Sequence, residues 1–137
     1  MTDKFDFSGY VTKYDILCCD DKIIAKNAFD ECNNKVVPLI NNFYYADMPP
    51  VLGHVILEGR PDGVYGYCKF NEHPIAKTYR MLVKEHIFKD LGIYANKITL
   101  DTDNIVKYGD IQAVALVRYG SNPGAYIDYY ADERKQK

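Results

Sequence analysis

The chain contains no tryptophan, only two serines and no continuous apolar run long enough to cross a bilayer. A transmembrane helix needs about 20 mainly apolar residues, so we expect no membrane association. The first six residues lack a basic start followed by an apolar stretch, so we expect no signal peptide. The formal net charge is only −2, which argues against a nucleic-acid partner bound through phosphate neutralisation.

The cysteines and histidines show none of the spacings that bind metals. No C-x-x-C or H-x-x-x-H pattern occurs among the four cysteines and three histidines, so we expect reduced thiols, no metal and no other cofactor. The segment 101–104 (Asp-Thr-Asp-Asn) is similar to the start of a calcium loop. Val106 stands where such a loop requires glycine, so an ordinary turn is the better interpretation. No glycine-rich phosphate loop is present.

What the chain does have is an ordinary globular composition that is rich in tyrosine. Its 137 residues suit one domain, which we assign to residues 1–130, with 131–137 as a polar C-terminal tail or linker. Tyrosine occurs 13 times, and this residue is enriched both at interfaces and in strands. The tyrosines are spread along the chain, which favours the second explanation.

Hydrophobic patterning predicts many strands and one main helix. A hairpin is indicated by Val51–Glu58 and Gly63–Phe70, because Pro61 and Asp62 favour a turn and Gly63 can adopt positive φ. The helix begins at Pro74 and extends to about residue 88, with an inner face of Ile75, Tyr79, Leu82, Val83 and His86. Further strands are predicted near 5–17, 36–40, 93–100, 105–108 and 111–119, and Pro38 suggests a sheet edge or a strand end. The fold class is therefore α+β, with an antiparallel, barrel-like sheet and additional short helices.

A series of short motifs adds a family resemblance. The last motif is the strand Asp110–Arg118, followed by a loop and Asn-Pro-Gly-Ala at 122–125. Earlier motifs are Gly9–Tyr14, Asn27–Glu31, Val37–Ile40, Leu52-Gly53 and Gly63–Tyr65. In this order they resemble the head-maturation (prohead) proteases of tailed phages, over roughly residues 8–127. The resemblance implies a small β-barrel surrounded by helices, as in herpesvirus proteases.

The three catalytic positions implied by the resemblance carry no catalytic side chain. The family's histidine aligns with Phe43, its serine nucleophile with Gly92 and its acidic residue with Ala113. A serine needs an adjacent base to become nucleophilic, and the base needs an orienting partner. No serine lies between Ser8 and Ser121, so a shift in alignment does not restore the nucleophile. The resemblance therefore implies a pseudoprotease that is not an enzyme.

The resemblance also implies a place in virion assembly. An inactive relative would keep the binding of the major capsid protein or scaffold, inside the procapsid or virion and, during assembly, in the host cytoplasm. It would be a structural protein that acts as a scaffold, as an accessory or decoration component, or as a domain attached to the capsid protein. It could also form a homo-oligomer. A basic helix face of Lys77, Arg80 and Lys84 is usually just solvated, but it could meet an acidic partner.

Two alternatives stay open at this point. The first is an active prohead endopeptidase with a relocated cysteine nucleophile that uses His54 or His73 as its base. Cys68 shares a strand face with Val64 and Phe70, so a buried core thiol is the better interpretation of that residue. The second alternative is a domain with no link to phage heads, because similarity of fold alone does not fix function.

Overall fold

The computed structural model describes residues 5–41 and 50–131, and these form a sheet with one α-helix. The strands are β1 (Phe7–Lys13), β2 (Ile23–Ile24), β3 (Val36–Asn41), β4 (Val51–Arg60), β5 (Gly63–Phe70), β6 (Asp90–Leu100), β7 (Ile105–Val117) and β8 (Ile127–Tyr130). The helix α1 spans Pro74–Lys84, and a short 3-10 helix covers Asp30–Cys32. Among these residues, no helix has both the length and the apolar character needed to span a membrane.

The expectation of a closed antiparallel barrel is wrong, because the sheet is open and mixed. Its order is β2-β7-β3-β4-β5-β1-β8, with β6 on the other edge of β7. The long strand β7 pairs in parallel with β2 and then with β3. At the far end, β8 has only four residues, and Asp90 and Tyr126 form an isolated bridge where a closed barrel would need a full ladder.

The hairpin between β4 and β5 is confirmed, although two details of the sequence prediction change. Arg60 pairs with Gly63, so only Pro61 and Asp62 form the turn. Gly63 does not adopt positive φ, since no described glycine does. Glycine is required at residue 63 for another reason, because an added Cβ would lie 2.4 Å from the Thr12 carbonyl oxygen.

Pro38 was predicted to lie at a sheet edge or a strand end, and β3 is not an edge strand, because it lies between β4 and β7. Pro38 pairs with His54 on β4, whereas the ladder with β7 begins only at Leu39. Proline cannot donate a ladder hydrogen bond. It is tolerated here because the strand has no β7 partner at that residue.

The helix is shorter than predicted, and it packs through a slightly different face. The helix ends at Lys84, two residues before His86, which adopts a positive φ of 62°. Ala76 and Val83 are buried, and Tyr79 packs against the core, but Ile75 and His86 are exposed. The burial of Ala76 and Val83 shows that the inner face of the helix is rotated toward Ala76 and away from Ile75.

The main core fills one side of the sheet. Phe7, Phe29, Leu39, Leu57 and Leu116 are among its fully buried side chains. A second, smaller apolar cluster lies on the opposite face of β3 and β7, and it contains Ile40, Ala113, Ala115 and Val117. The sheet therefore buries side chains on both faces near β7, which explains the nearly continuous apolar sequence Ala113–Val117.

Candidate functional site

Two of the three positions that the sequence resemblance aligns with catalytic residues lie close together on neighbouring strands. Gly92 pairs with Ala115, and Tyr94 pairs with Ala113, across β6 and β7. Gly92 and Ala113 are thus diagonal neighbours on one sheet face, a relation that corresponds to roughly 7–8 Å. Phe43, the third position, lies outside the described residues. Ala113 is buried in the small apolar cluster, so neither described position offers an acid, a base or a nucleophile.

Gly92 also lines a cleft of about 330 Å³. One wall of the cleft is the β6 segment from Leu91 to Ala95, and the other is formed by the loops around 18–22 and 119–122. Its polar lining includes Asp20, Lys22 and Ser121. No histidine is among its lining residues as described, so Ser121 has no imidazole base there.

The Asn-Pro-Gly-Ala motif forms the loop that borders this cleft. Asn122 Nδ2 donates to Thr12 Oγ1 at 3.1 Å and to the Lys13 carbonyl oxygen at 2.9 Å. Asn122 Oδ1 accepts from the Gly124 N–H at 3.0 Å. The Ala125 carbonyl then accepts from the Leu91 N–H at 3.0 Å. The motif therefore anchors one loop to β1 and to β6, which is a structural role.

Three of the four cysteines are buried, and their thiols are not activated. Cys68 is fully buried, and its burial raises the thiol pKa well above the usual value. Burial also raises the pKa values of the Cys18 and Cys32 thiols. A reactive cysteine requires a lowered pKa, because the thiolate is the nucleophile. Only Cys19 is exposed.

The described contacts of the three histidines involve residues other than these cysteines. His54 pairs with Lys69, while its neighbour Val55 pairs with Cys68. Successive residues of a strand point to opposite faces, so His54 faces away from Cys68. His73 is the N-cap residue of α1. His86 Nδ1 lies 3.3 Å from the Tyr130 hydroxyl oxygen, and the two rings meet edge to face.

The basic helix face does not present three equivalent cations. Arg80 Nη2 donates to Asp6 Oδ1 at 2.8 Å, and Asp6 Oδ2 accepts from the Phe70 N–H at 2.8 Å. The Arg80–Asp6 pair therefore connects α1 to the residue that precedes β1, and Asp6 in turn connects to β5. Lys77 and Lys84 are exposed, but Lys84 also has an interaction partner, so an acidic partner would meet a narrower basic surface than the sequence suggests.

The segment 101–104 folds as the turn that the sequence predicts. Asp101 Oδ1 accepts from the N–H groups of Asp103 at 2.8 Å and Ile105 at 3.1 Å. These backbone hydrogen bonds lower the pKa of the Asp101 carboxyl. Across residues 5–41 and 50–131, no group of three or more His, Cys, Asp and Glu side chains is arranged to hold a metal ion.

A cluster of tyrosines around Arg60 is the polar feature that sequence reasoning missed. The Arg60 guanidinium carbon lies 3.7 Å from the centre of the Tyr65 ring. Its Nη2 donates to Tyr67 Oη at 3.1 Å and forms an ion pair with Glu58 at 2.8 Å. Burial lowers the pKa of Arg60, but hydrogen bonds to Tyr10, Glu58 and Tyr67 outweigh it and raise the pKa. The alternation of Tyr65 and Tyr67 signals a shared face, but only the strand register places Tyr10 beside them.

This cluster continues into a hydrogen-bonded chain across three strands. Ser8 Oγ lies 3.1 Å from Tyr65 Oη, which donates to Asp128 Oδ1 at 2.6 Å. Burial, together with the Asp128 hydrogen bond, raises the pKa of Tyr65 to about 12. A phenol with that pKa stays protonated at neutral pH and cannot act as a base for Ser8. The chain therefore links β1, β5 and β8 without activating the serine.

Comparisons with known proteins add no assignment: no protein-family model, no curated protein and no solved structure matches this chain.

Proposed function

We propose that this chain is a non-catalytic structural protein of phage head assembly that binds the major capsid protein or its scaffold. The proposed lack of catalysis is supported by the pairing of β6 with β7, because this pairing brings Gly92 and Ala113 together on one sheet face. Neither residue has a side chain that transfers a proton or attacks a carbonyl. The identity of the partner and the location in the procapsid or virion come from the sequence resemblance.

The two serines support binding rather than hydrolysis. Ser8 is buried and is hydrogen-bonded to a tyrosine whose pKa is raised to about 12. Ser121 lies at the cleft, whose described lining contains no histidine. A serine hydrolase requires its nucleophile and base within about 3 Å of each other, and neither serine meets this condition in the described residues.

The alternative of a relocated cysteine nucleophile receives less support. Cys68 is buried, has a raised pKa and lies on the face opposite to His54. Cys18 and Cys32 also have raised pKa values. Cys19 is exposed, but the nearby cleft offers Asp20 and Lys22, which pair with each other at 3.6 Å, instead of an imidazole.

The proposal is tested by co-expression with the major capsid protein of the same phage. We expect the two proteins to co-sediment in one assembly, and electron microscopy to show shells whose size or yield changes when this chain is present. Gly92→Ser is the matched variant, because an added Cβ at Gly92 would meet only Val117 Cγ1, at 3.8 Å. This variant should assemble like the wild type and should not cleave the capsid protein. If neither the wild type nor Gly92→Ser associates with the capsid protein, the proposed function is wrong.

A further inference from the structure

The buried end of β3 carries a polar side chain whose hydrogen-bonding capacity is only partly used. Asn41 is 3% exposed, and its Nδ2 donates to the Tyr79 hydroxyl oxygen on α1. Its Oδ1 has no hydrogen-bond partner within residues 5–41 and 50–131. A buried polar atom without a partner destabilises the arrangement that buries it. The contact between β3 and α1 therefore includes an unfavourable contribution.

The helix α1 buries few apolar side chains for its length. Of its 11 residues, only Ala76 and Val83 are buried. Tyr79 is half-buried, and the centre of its ring lies 5.7 Å from that of Phe88. Met81 is 63% exposed. Local opening requires the least free energy where few apolar side chains are buried, so α1 is suited to open separately from the sheet.

The two ends of α1 also favour opening. His73, the N-cap residue, makes no side-chain capping hydrogen bond, and the first turn contains no acidic residue. The N-terminal end therefore lacks two usual sources of helix stability. After the helix, His86 adopts a positive φ of 62°, a conformation that favours glycine. The flanking residues 72–73 and 85–87 are exposed, so both connections can change conformation without loss of buried side-chain packing.

One ion pair opposes this opening. Arg80 Nη2 donates to Asp6 Oδ1 at 2.8 Å, and Asp6 Oδ2 accepts from the Phe70 N–H at 2.8 Å. The Asp6 side chain is only 11% exposed, so solvent screens this pair less than it screens a pair on the surface. The pair connects the middle of α1 to the sheet.

We infer that α1 is a lid that opens as a unit while the sheet stays folded. The Arg80–Asp6 pair holds the lid closed. The unpaired Asn41 amide lowers the free energy of opening, because an open lid lets water reach it. Opening uncovers this amide and the parts of β4 and β5 against which α1 packs, so one ion pair controls access to that surface. This inference goes beyond the proposed function, because it does not require a capsid partner.

Native-state hydrogen exchange followed by mass spectrometry measures the opening. Peptides that cover residues 74–84 are compared with peptides that cover the paired residues of β4 and β5. We expect the amides of α1 to be about tenfold less protected than those of the two strands. Equal protection in the two regions would show that α1 opens only when the sheet unfolds, and would overturn the inference.

Arg80→Met tests the ion pair, because methionine keeps an apolar stem but carries no charge. Lys77→Met is the matched control, since Lys77 is exposed on the same helix. We expect Arg80→Met to increase the opening of α1 about fivefold, while the protection of β4 and β5 changes less than twofold. The control should change neither region by more than twofold. If Arg80→Met has no larger effect than the control, the ion pair does not hold the lid and the inference is wrong.

The double variant Asn41→Leu/Tyr79→Phe tests the contribution of the buried amide. Leucine has the same side-chain branching as asparagine, so the variant removes both polar groups with little change in shape. Replacing both partners by apolar groups of similar shape is neutral or stabilising where a buried polar atom is unpaired. We expect the opening of α1 to fall about threefold. A rise in opening would show that Asn41 holds the lid closed and would overturn the inference. If the double variant does not fold by circular dichroism, the comparison of Arg80→Met with Lys77→Met decides.

Discussion

Replacing Asn122 with alanine tests whether the Asn-Pro-Gly-Ala loop holds the two sides of the cleft together. The Asn122 side chain is buried and makes three hydrogen bonds, to Thr12 Oγ1, the Lys13 carbonyl oxygen and the Gly124 N–H. Alanine removes all three. Thr12 is also buried, so its hydroxyl loses this partner in a place with little access to water.

The expected loss of stability follows from these contacts. A hydrogen bond contributes about 1 kcal/mol net, and a buried group left without its partner costs about 1–3 kcal/mol. We therefore expect Asn122→Ala to lower the free energy of unfolding by about 2–4 kcal/mol. For a chain of this size, that loss corresponds to a fall in Tm of roughly 8–16 °C.

Urea denaturation followed by circular dichroism measures this change. The midpoint should fall while the m-value stays constant, because the surface exposed on unfolding is the same. Ser121→Ala is the matched control, since Ser121 is exposed and a surface substitution typically changes stability by less than about 0.5 kcal/mol. If both variants lose the same small amount of stability, the Asn122 side chain does not anchor the loop.

Three further predictions concern packing, thiols and pH. Gly66→Ala should lower the free energy of unfolding by about 1–3 kcal/mol, because the added Cβ would lie 2.8 Å from two valine methyl groups. Gly92→Ala should be nearly neutral in the same urea denaturation experiment, and equal losses of stability would contradict this prediction. Ellman's reagent should label one thiol rapidly in the native protein, and Cys19→Ser should remove that phase, since only Cys19 is exposed; rapid labelling of a second thiol would be inconsistent. The hydrogen bond from Lys35 lowers the pKa of Asp110 in the folded chain. The Lys35–Asp110 pair therefore stabilises the fold above the unfolded pKa of about 3.9, and this stabilisation is lost as the pH falls through the folded pKa. Asp110→Asn should therefore be less stable than the wild type at pH 6 but not at pH 2, and a difference independent of pH would refute the assignment.

Local features of the fold were predictable where neighbouring residues determine them. Pro61 and Asp62 specified the β4–β5 hairpin, and Pro74 marked the start of α1. The parallel pairing of β7 with β2 and β3 was not predictable, because strand register depends on contacts distant in sequence. The single strand Ile105–Val117 was divided in the prediction, since Gly109 and Asp110 resemble a turn. Gly109 instead gives room to Phe29, whose ring atom would lie 2.5 Å from an added Cβ.

The candidate site was predictable only in part. The sequence singled out Gly92 and Ala113, and the structure places them on adjacent strands. It also singled out the Asn-Pro-Gly-Ala motif, but only the folded chain reveals that Asn122 contacts Thr12 and Lys13. The cleft and the cluster around Arg60 were missed, because both depend on which strands become neighbours.

Intact-mass spectrometry of the capsid protein tests whether this chain binds that protein without cleaving it. The purified capsid protein is incubated with an excess of this chain, with and without prior alkylation of its thiols. We expect the capsid protein to keep its full mass in both samples and to be recovered bound to this chain. A specific shorter product that disappears after alkylation would contradict it and would support a cysteine peptidase.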